Sequence, residues 1–193
     1  MKRCMASLWT PRVISYRQWH GYPPEGLHHS IFVQLMVDSQ VSAVGFTIDP
    51  TSGDWGQIVL NSGWGIGEGI MGGKVNTDFY SIDKKVPLSE GVTASIRPKP
   101  VMHAFDSGTG AGTCQANVEP GKENVPTLDM RDLMTIRRML LTLEEYWGMP
   151  RDIELAKDRE GNIKIVQDRP VTALAGSVKA VGKITGREID GAC

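Results

Sequence analysis

Residues 150–170 read PRDIELAKDREGNIKIVQDRP, two strand-like runs joined by a turn, with charged and amide groups repeating at every second position. If Glu160 and Gly161 are the central turn residues, Arg159 pairs with Asn162. That register sets Glu154 opposite Gln167 and Asp152 opposite Arg169. Side chains alternate along a strand, so these four share one face and Ile153, Leu155 and Val166 take the other. Directly opposed Cβ atoms lie about 4.5–5.5 Å apart, close enough for a carboxylate and an amide oxygen to meet on one cation. Hard oxygen donors suit Mg²⁺, which takes one or two protein ligands and completes its shell with water and phosphate oxygens. A neighbouring arginine can hold a phosphate through a bidentate contact. The competing interpretation is a solvated hairpin face with an ordinary Asp/Arg cross-strand pair.

The rest of the chain limits what such a hairpin can belong to. At 193 residues, 40% of them hydrophobic, the polypeptide can bury one large domain or two small lobes. A formal net charge of -1 and a pI near 6.4 offer no basic field for a phosphate backbone, so nucleic acid is not expected as a partner. No apolar run approaches membrane length, and Pro11 and Arg12 cut the first one before it could act as a signal core. Three widely spaced cysteines, Cys4, Cys114 and Cys193, make neither a CxxC nor a zinc pattern and suit a reducing cytoplasm.

Twenty-two glycines and eleven prolines, with short apolar segments, point to a mixed α and β fold rather than a bundle. Thr10-Pro11 has the form of a helix start, and the helix it opens should stop at Gly21. Residues 30–48, SIFVQLMV and VSAVGFTI around Asp38-Ser39-Gln40, have the pattern of a β-hairpin. A strand at QIVL and another at FYSID flank a glycine-rich stretch. Residues 86–126 are rich in glycine and turn formers and predict an extended surface loop. From Asp129, the spacing of Met130, Leu133, Ile136, Leu140, Leu143 and Trp147 predicts a helix with one packed face, ended by Gly148 and Pro150. Residues 175–193 have the composition of a linker or tail.

Within the glycine-rich stretch, GEGIMG (residues 67–72) satisfies G-x-G-x-x-G. A dinucleotide fold would need a crossover helix and a second parallel strand, and Asn76-Thr77-Asp78 with a short strand follows instead. Lys74 lacks the spacing of a P-loop lysine. What remains is a loop whose backbone can approach a ligand closely. Of the four histidines, His20, His28 and His29 have the setting of surface residues, and His103 is the one of interest.

Taken in order, SLWTPRVISYR, VQLMVDSQVSAVGFTIDPTSGD, GWGIGEGIMGGKVNTDFYSIDKK and MPRDIELAKDREGNIKIVQDRPVTAL resemble the later part of the ATP-binding domain of the phosphoenolpyruvate synthase and pyruvate phosphate dikinase family. The resemblance covers about residues 4–85 and 129–174. It implies an α+β, ATP-grasp-like lobe with an antiparallel sheet and packed helices, occupying residues 1–174 and incomplete relative to a full domain. It also implies Mg²⁺-dependent phosphoryl transfer from ATP to a histidine on a separate domain or subunit, and from there to an acceptor such as pyruvate, phenol or a drug hydroxyl. By the same resemblance Glu154 and Gln167 correspond to metal ligands, and Arg169, the expected catalytic residue, lies against the phosphates. Asp152 and Glu68 border the nucleotide, and Gln34, Leu35, Met36 and Val37 match a strand that holds adenine.

Three positions depart from the family pattern: Ala43 for a glycine, Thr77 for a proline and Leu155 for an aromatic. The phosphate-binding first lobe and a phosphorylatable T-S-H-A-like histidine segment are not represented in these residues, so other subunits or domains are expected to supply them. Phosphoryl transfer relies on charge neutralisation from both sides of the nucleotide. The alternative is a non-catalytic nucleotide-binding or assembly module, or a truncated fragment inactive alone.

Overall fold

The computed structural model describes residues 1–23, 25, 30–106, 108–109 and 112–171; the tail expected at 175–193, and His28 and His29, lie outside the described residues. Two compact units divide the chain, Met1–Met36 and Val37–Cys193.

In the first unit, α1 (Lys2–Ala6) and a 3₁₀ turn (Ser7–Trp9) lead into α2 (Pro11–Trp19). Pro11 occupies the first helical turn as expected, and Gly21 follows in the left-handed region. The Thr10 hydroxyl, however, donates to the Ser7 carbonyl and does not cap α2. Residues 30–38 form no strand, which overturns the hairpin expected over 30–48. Phe32, Val33 and Leu35 are 80%, 88% and 93% exposed. β-Propensity alone does not make a strand; a ladder partner does, and among the described residues no strand pairs with residues 30–38.

The second unit is organised by a six-stranded antiparallel sheet in the order β4-β3-β2-β1-β7-β8, from strands β1 (Ser39–Phe46), β2 (Gln57–Trp64), β3 (Asp78–Asp83), β4 (Val92–Ser95), β7 (Arg151–Asp158) and β8 (Ile163–Pro170). β1 lies between β2 and β7. Short helices α3 (Glu68–Met71) and α4 (Leu88–Gly91) flank β3, and β5 (Val101–Phe105) pairs with β6 (Thr113–Asn117) in a separate ribbon. Among the described residues, the segment 86–126, expected as extended loop, therefore holds one helix and three strands. A buried ion pair pins this region: Lys99 Nζ lies 2.5 Å from Asp78 Oδ1, and Asp78 Oδ2 accepts from the Thr127 amide and hydroxyl. Single short strands between prolines carry too little periodicity to be seen locally.

One sheet face is covered by α5 (Met130–Trp147), whose Leu133, Ile136 and Leu140 pack with Val41, Ala43, Leu60, Ile153 and Leu155. Asp129 and Asp132 form a reciprocal capping box at its start, and Gly148, at φ 65°, terminates it. The packed stripe is narrower than its spacing predicts, since Met130 and Trp147 are each 49% exposed.

The hairpin of residues 150–170 forms with an unexpected tip. The backbone of Asp158 receives the return of the chain at Asn162, so the loop has three residues, with Gly161 at φ 85°. This shifts the pairing by one, giving Leu155↔Ile165, and an irregularity beyond Leu155 shifts it back. The offsets cancel. Glu154↔Gln167 and Asp152↔Arg169 stand opposed as the two-residue turn also required.

Candidate functional site: the carboxylate face of the β7–β8 hairpin

Register places the site on the sheet face turned away from α5. Glu154 lies beside Val44, which lies beside Asn61; Asp152 lies beside Phe46, which lies beside Val59. The face thus presents Asp152, Glu154, Gln167 and Arg169 next to a half-buried floor of Val44 and Phe46 with Asn61 beyond it. Ile153 and Leu155 are held in the core on the opposite face, and this burial fixes which way the acids point.

Arg169 Nε donates to Asp152 Oδ2 at 2.8 Å, with the Asp152 side chain only 12% exposed and that of Arg169 half exposed. Asp152 Oδ1 is buried without a hydrogen-bond partner. Asp168, one position along on the other face, differs: its Oδ1 accepts from Arg151 Nε and its Oδ2 from Trp147 Nε1. A buried carboxylate oxygen with no donor carries a substantial desolvation cost, and such an atom beside a second acid suits a cation. Burial raises the Glu154 carboxyl above its ordinary range; Arg169 opposes the shift and Asp152 adds to it. Two carboxylates and the Gln167 amide supply oxygen donors alone, which fits Mg²⁺. Among the described residues, no group of three or more His, Cys, Asp or Glu side chains is placed to hold a metal.

The other sequence-predicted residues fall elsewhere. Gln34, Leu35 and Met36 belong to the first unit and Val37 opens the second; none of the four lies in a strand. Glu68, at the start of α3, accepts a hydrogen bond from Thr113 Oγ1 and faces Lys74 Nζ at 3.5 Å. These contacts lower its carboxyl from the usual value, the Thr113 bond most. The glycines serve packing at close range. Gly65 bridges to His103, and a Cβ there would lie 2.1 Å from the His103 carbonyl oxygen; one on Gly69 would meet the imidazole at 3.0 Å. The loop's close approach is to β5. His103 is buried with Nδ1 unpartnered, against Gly69.

Val44, Phe46 and Asn61 escaped sequence reasoning. Their signal was the alternation in β1 and β2, unusable until the pairing with β7 was known. A cleft of about 780 Å³ lined by Val41, Trp64, Thr127 and Lys157 opens on the side of α5, away from the carboxylates. Its Lys157 is paired with Asp132 and its Arg159 with Asp38.

The second unit is accordingly an α+β protein whose antiparallel sheet carries an oxygen-donor and arginine constellation of the kind that handles a metal and a phosphate. By sequence the chain belongs to the pyruvate phosphate dikinase AMP/ATP-binding domain family, which it matches over residues 1–187. It is 37% identical over 180 residues to the probable phosphoenolpyruvate synthase of Pyrococcus horikoshii, covering 90% of this chain and 22% of that protein. The phosphoenolpyruvate synthase of Pyrococcus furiosus matches to the same extent, 37% over 180 residues, 90% and 22%. A rifampicin phosphotransferase of Streptomyces sp is 31% identical over 174 residues, covering 90% of this chain and 19% of that protein. The chain thus spans about a fifth of the length of these relatives. Among the described residues no helix is long and apolar enough to cross a membrane.

Proposed function

We propose that the chain is the metal- and phosphate-contacting part of an ATP-grasp domain in a cytoplasmic, dikinase-type phosphotransferase. ATP passes a phosphoryl group to a histidine on a separate domain or subunit, and an acceptor such as pyruvate or phenol receives it. The observation that carries this reading is the opposition of Glu154 and Gln167 beside Asp152, whose Oδ1 is buried and unpartnered. Family membership and the two enzyme types among the relatives support it.

In this reading Glu154 and Gln167, with Asp152 Oδ1 behind them, hold Mg²⁺. When bound, the ion neutralises charge on the phosphate oxygens. Arg169 is fixed through Nε by Asp152, which orients its guanidinium on the half-exposed side of the hairpin toward a phosphate. Val44 and Phe46 form an apolar floor that limits water beside the carboxylates. Gln34 to Val37 contribute to the adenine site, and Glu68 to its border. The first lobe and the phosphohistidine come from other domains or subunits.

Calorimetric titration of the chain with Mg-ATP, run beside Glu154→Ala, tests the reading. Saturable, Mg²⁺-dependent heat that weakens in the variant supports a working nucleotide half. Equal heats, or none from either protein, favour the alternative of a non-catalytic assembly module, to which the exposed Phe32, Val33 and Leu35 also point.

A further inference from the structure

The face of α5 next to the one that enters the core has its own pattern. Met130 and Met134 are 49% and 60% exposed, and with Leu141, partly buried against the edge of the core, they form a second apolar stripe along the helix. Together with Leu88 of α4 they line a groove of about 870 Å³. Thr135 and Thr142 also border it, and their hydroxyls donate back to the carbonyls of Arg131 and Arg138, so neither offers a free polar group to the groove.

The rim is cationic. Arg131, Arg137 and Arg138 line the groove against one carboxylate, Glu145. Arg137 is committed to the carbonyl oxygens of Lys84 and Val86. Arg131 and Arg138 are exposed, two turns apart on one side, and pair with no carboxylate among the described residues. Elsewhere in this unit the usual arrangement is a paired cation: Lys84 with Glu144, Lys157 with Asp132, Arg151 with Asp168.

We propose that this groove docks an acidic amphipathic helix. Its apolar seam seats between Met130, Met134, Leu141 and Leu88, and carboxylates two turns apart on its flank reach Arg131 and Arg138. An apolar stripe on a helix is the receiving surface that a partner helix recognises at i, i+4, i+7 spacing, and methionines adapt to the side chains they receive. The two unpaired guanidinium groups select the charge of the partner and fix its register, since each can grip a carboxylate in bidentate fashion. None of the groove's lining residues belongs to the β7–β8 hairpin, whose acids lie on the sheet face opposite α5, so docking there does not depend on nucleotide binding.

The full chain, ¹³C-methyl-labelled at methionine, is titrated with two synthetic amphipathic peptides that share a leucine seam. One carries glutamates on its flanks, the other lysines. The glutamate peptide is expected to saturate with shifts confined to the Met130 and Met134 methyls, and to bind at least about tenfold more tightly than the lysine peptide. Arg131→Glu/Arg138→Glu, two surface changes outside the core, is expected to reverse that preference. Equal binding of both peptides, shifts at other methionines, or no saturation overturns the proposal. So do Met130 and Met134 shifts that follow protein concentration without peptide, because a second copy then covers the groove.

Discussion

Arg169 Nε and Asp152 Oδ2 are joined at 2.8 Å across the β7–β8 pairing, while the other oxygen of the same carboxylate is buried with nothing to accept from. This half-satisfied acid links the stability of the hairpin to what it binds. Arg169→Ala removes the remaining donor and is expected to cost about 1–3 kcal/mol, the range for stranding a buried acceptor. If Asp152 and Glu154 share a cation, Mg²⁺ recovers part of that loss by binding the native state. Urea unfolding of the variant with and without Mg²⁺ measures both. A midpoint shift by Mg²⁺ no larger in wild type than in Asp152→Asn/Glu154→Gln would sink the metal assignment.

Glu154 adds a pH dependence. Its folded carboxyl is raised by burial, so between its ordinary value and the raised one the folded state binds more protons than the unfolded state. Ionising Glu154 therefore lowers stability as pH rises through that window. A cation reverses the preference by binding the ionised form. Mg²⁺ affinity is expected to increase with pH through the same window and to release protons on binding. Calorimetry in buffers of different ionisation enthalpy reads the proton release, and Glu154→Gln abolishes it.

Gly65 tests the glycine-rich loop as architecture. At φ 80° and with a prospective Cβ 2.1 Å from the His103 oxygen, Gly65→Ala meets both a left-handed backbone and a backbone collision. A loss of about 2 kcal/mol or more is expected. Gly73, at φ 62° but with open space around it, pays only the backbone term, so Gly73→Ala should cost less, about 1 kcal/mol. Comparable losses in the two variants would contradict the bridge to β5 as the reason for Gly65.

The Lys99–Asp78 pair, both side chains fully buried, ties the β4–β5 segment and the entry to α5 onto β3. Lys99→Met leaves Asp78 bonded to the Arg97 and Thr127 amides but without its counter-ion. A loss of about 3–5 kcal/mol is expected, as for other buried pairs broken on one side. The double change Lys99→Met/Asp78→Asn should cost clearly less than the two single changes together. Denaturant midpoints of the four proteins close the cycle.

Much of the fold was legible where local rules coincide with tertiary demand. α5 announced itself because its apolar spacing and terminal Gly148 agree, and the α2 start at Pro11 followed from the fixed φ of proline. Residues 30–38 misled because a β-branched and apolar run looks the same whether or not a neighbour exists to complete its ladder. Residues 86–126 hid three strands because each is only four or five residues long, and the segment between β4 and β5 is anchored by a buried pair, Lys99 to Asp78, that no local pattern signals.

The hairpin of residues 150–170 divides these contributions most sharply. Alternation with a period of two determined from sequence alone that Asp152 and Glu154 share a face, because that follows from strand geometry whatever the surroundings. Opposition to Gln167 and Arg169 was also anticipated, but through a turn the protein does not use. A three-residue loop and a compensating irregularity produce the same partners. Only the tertiary structure decided which face is buried, since that depends on α5 covering Ile153 and Leu155. It alone set Val44, Phe46 and Asn61 beside the carboxylates and left Asp152 Oδ1 without a donor, because pairing between strands more than a hundred residues apart is a property of the packed sheet and not of any segment in it.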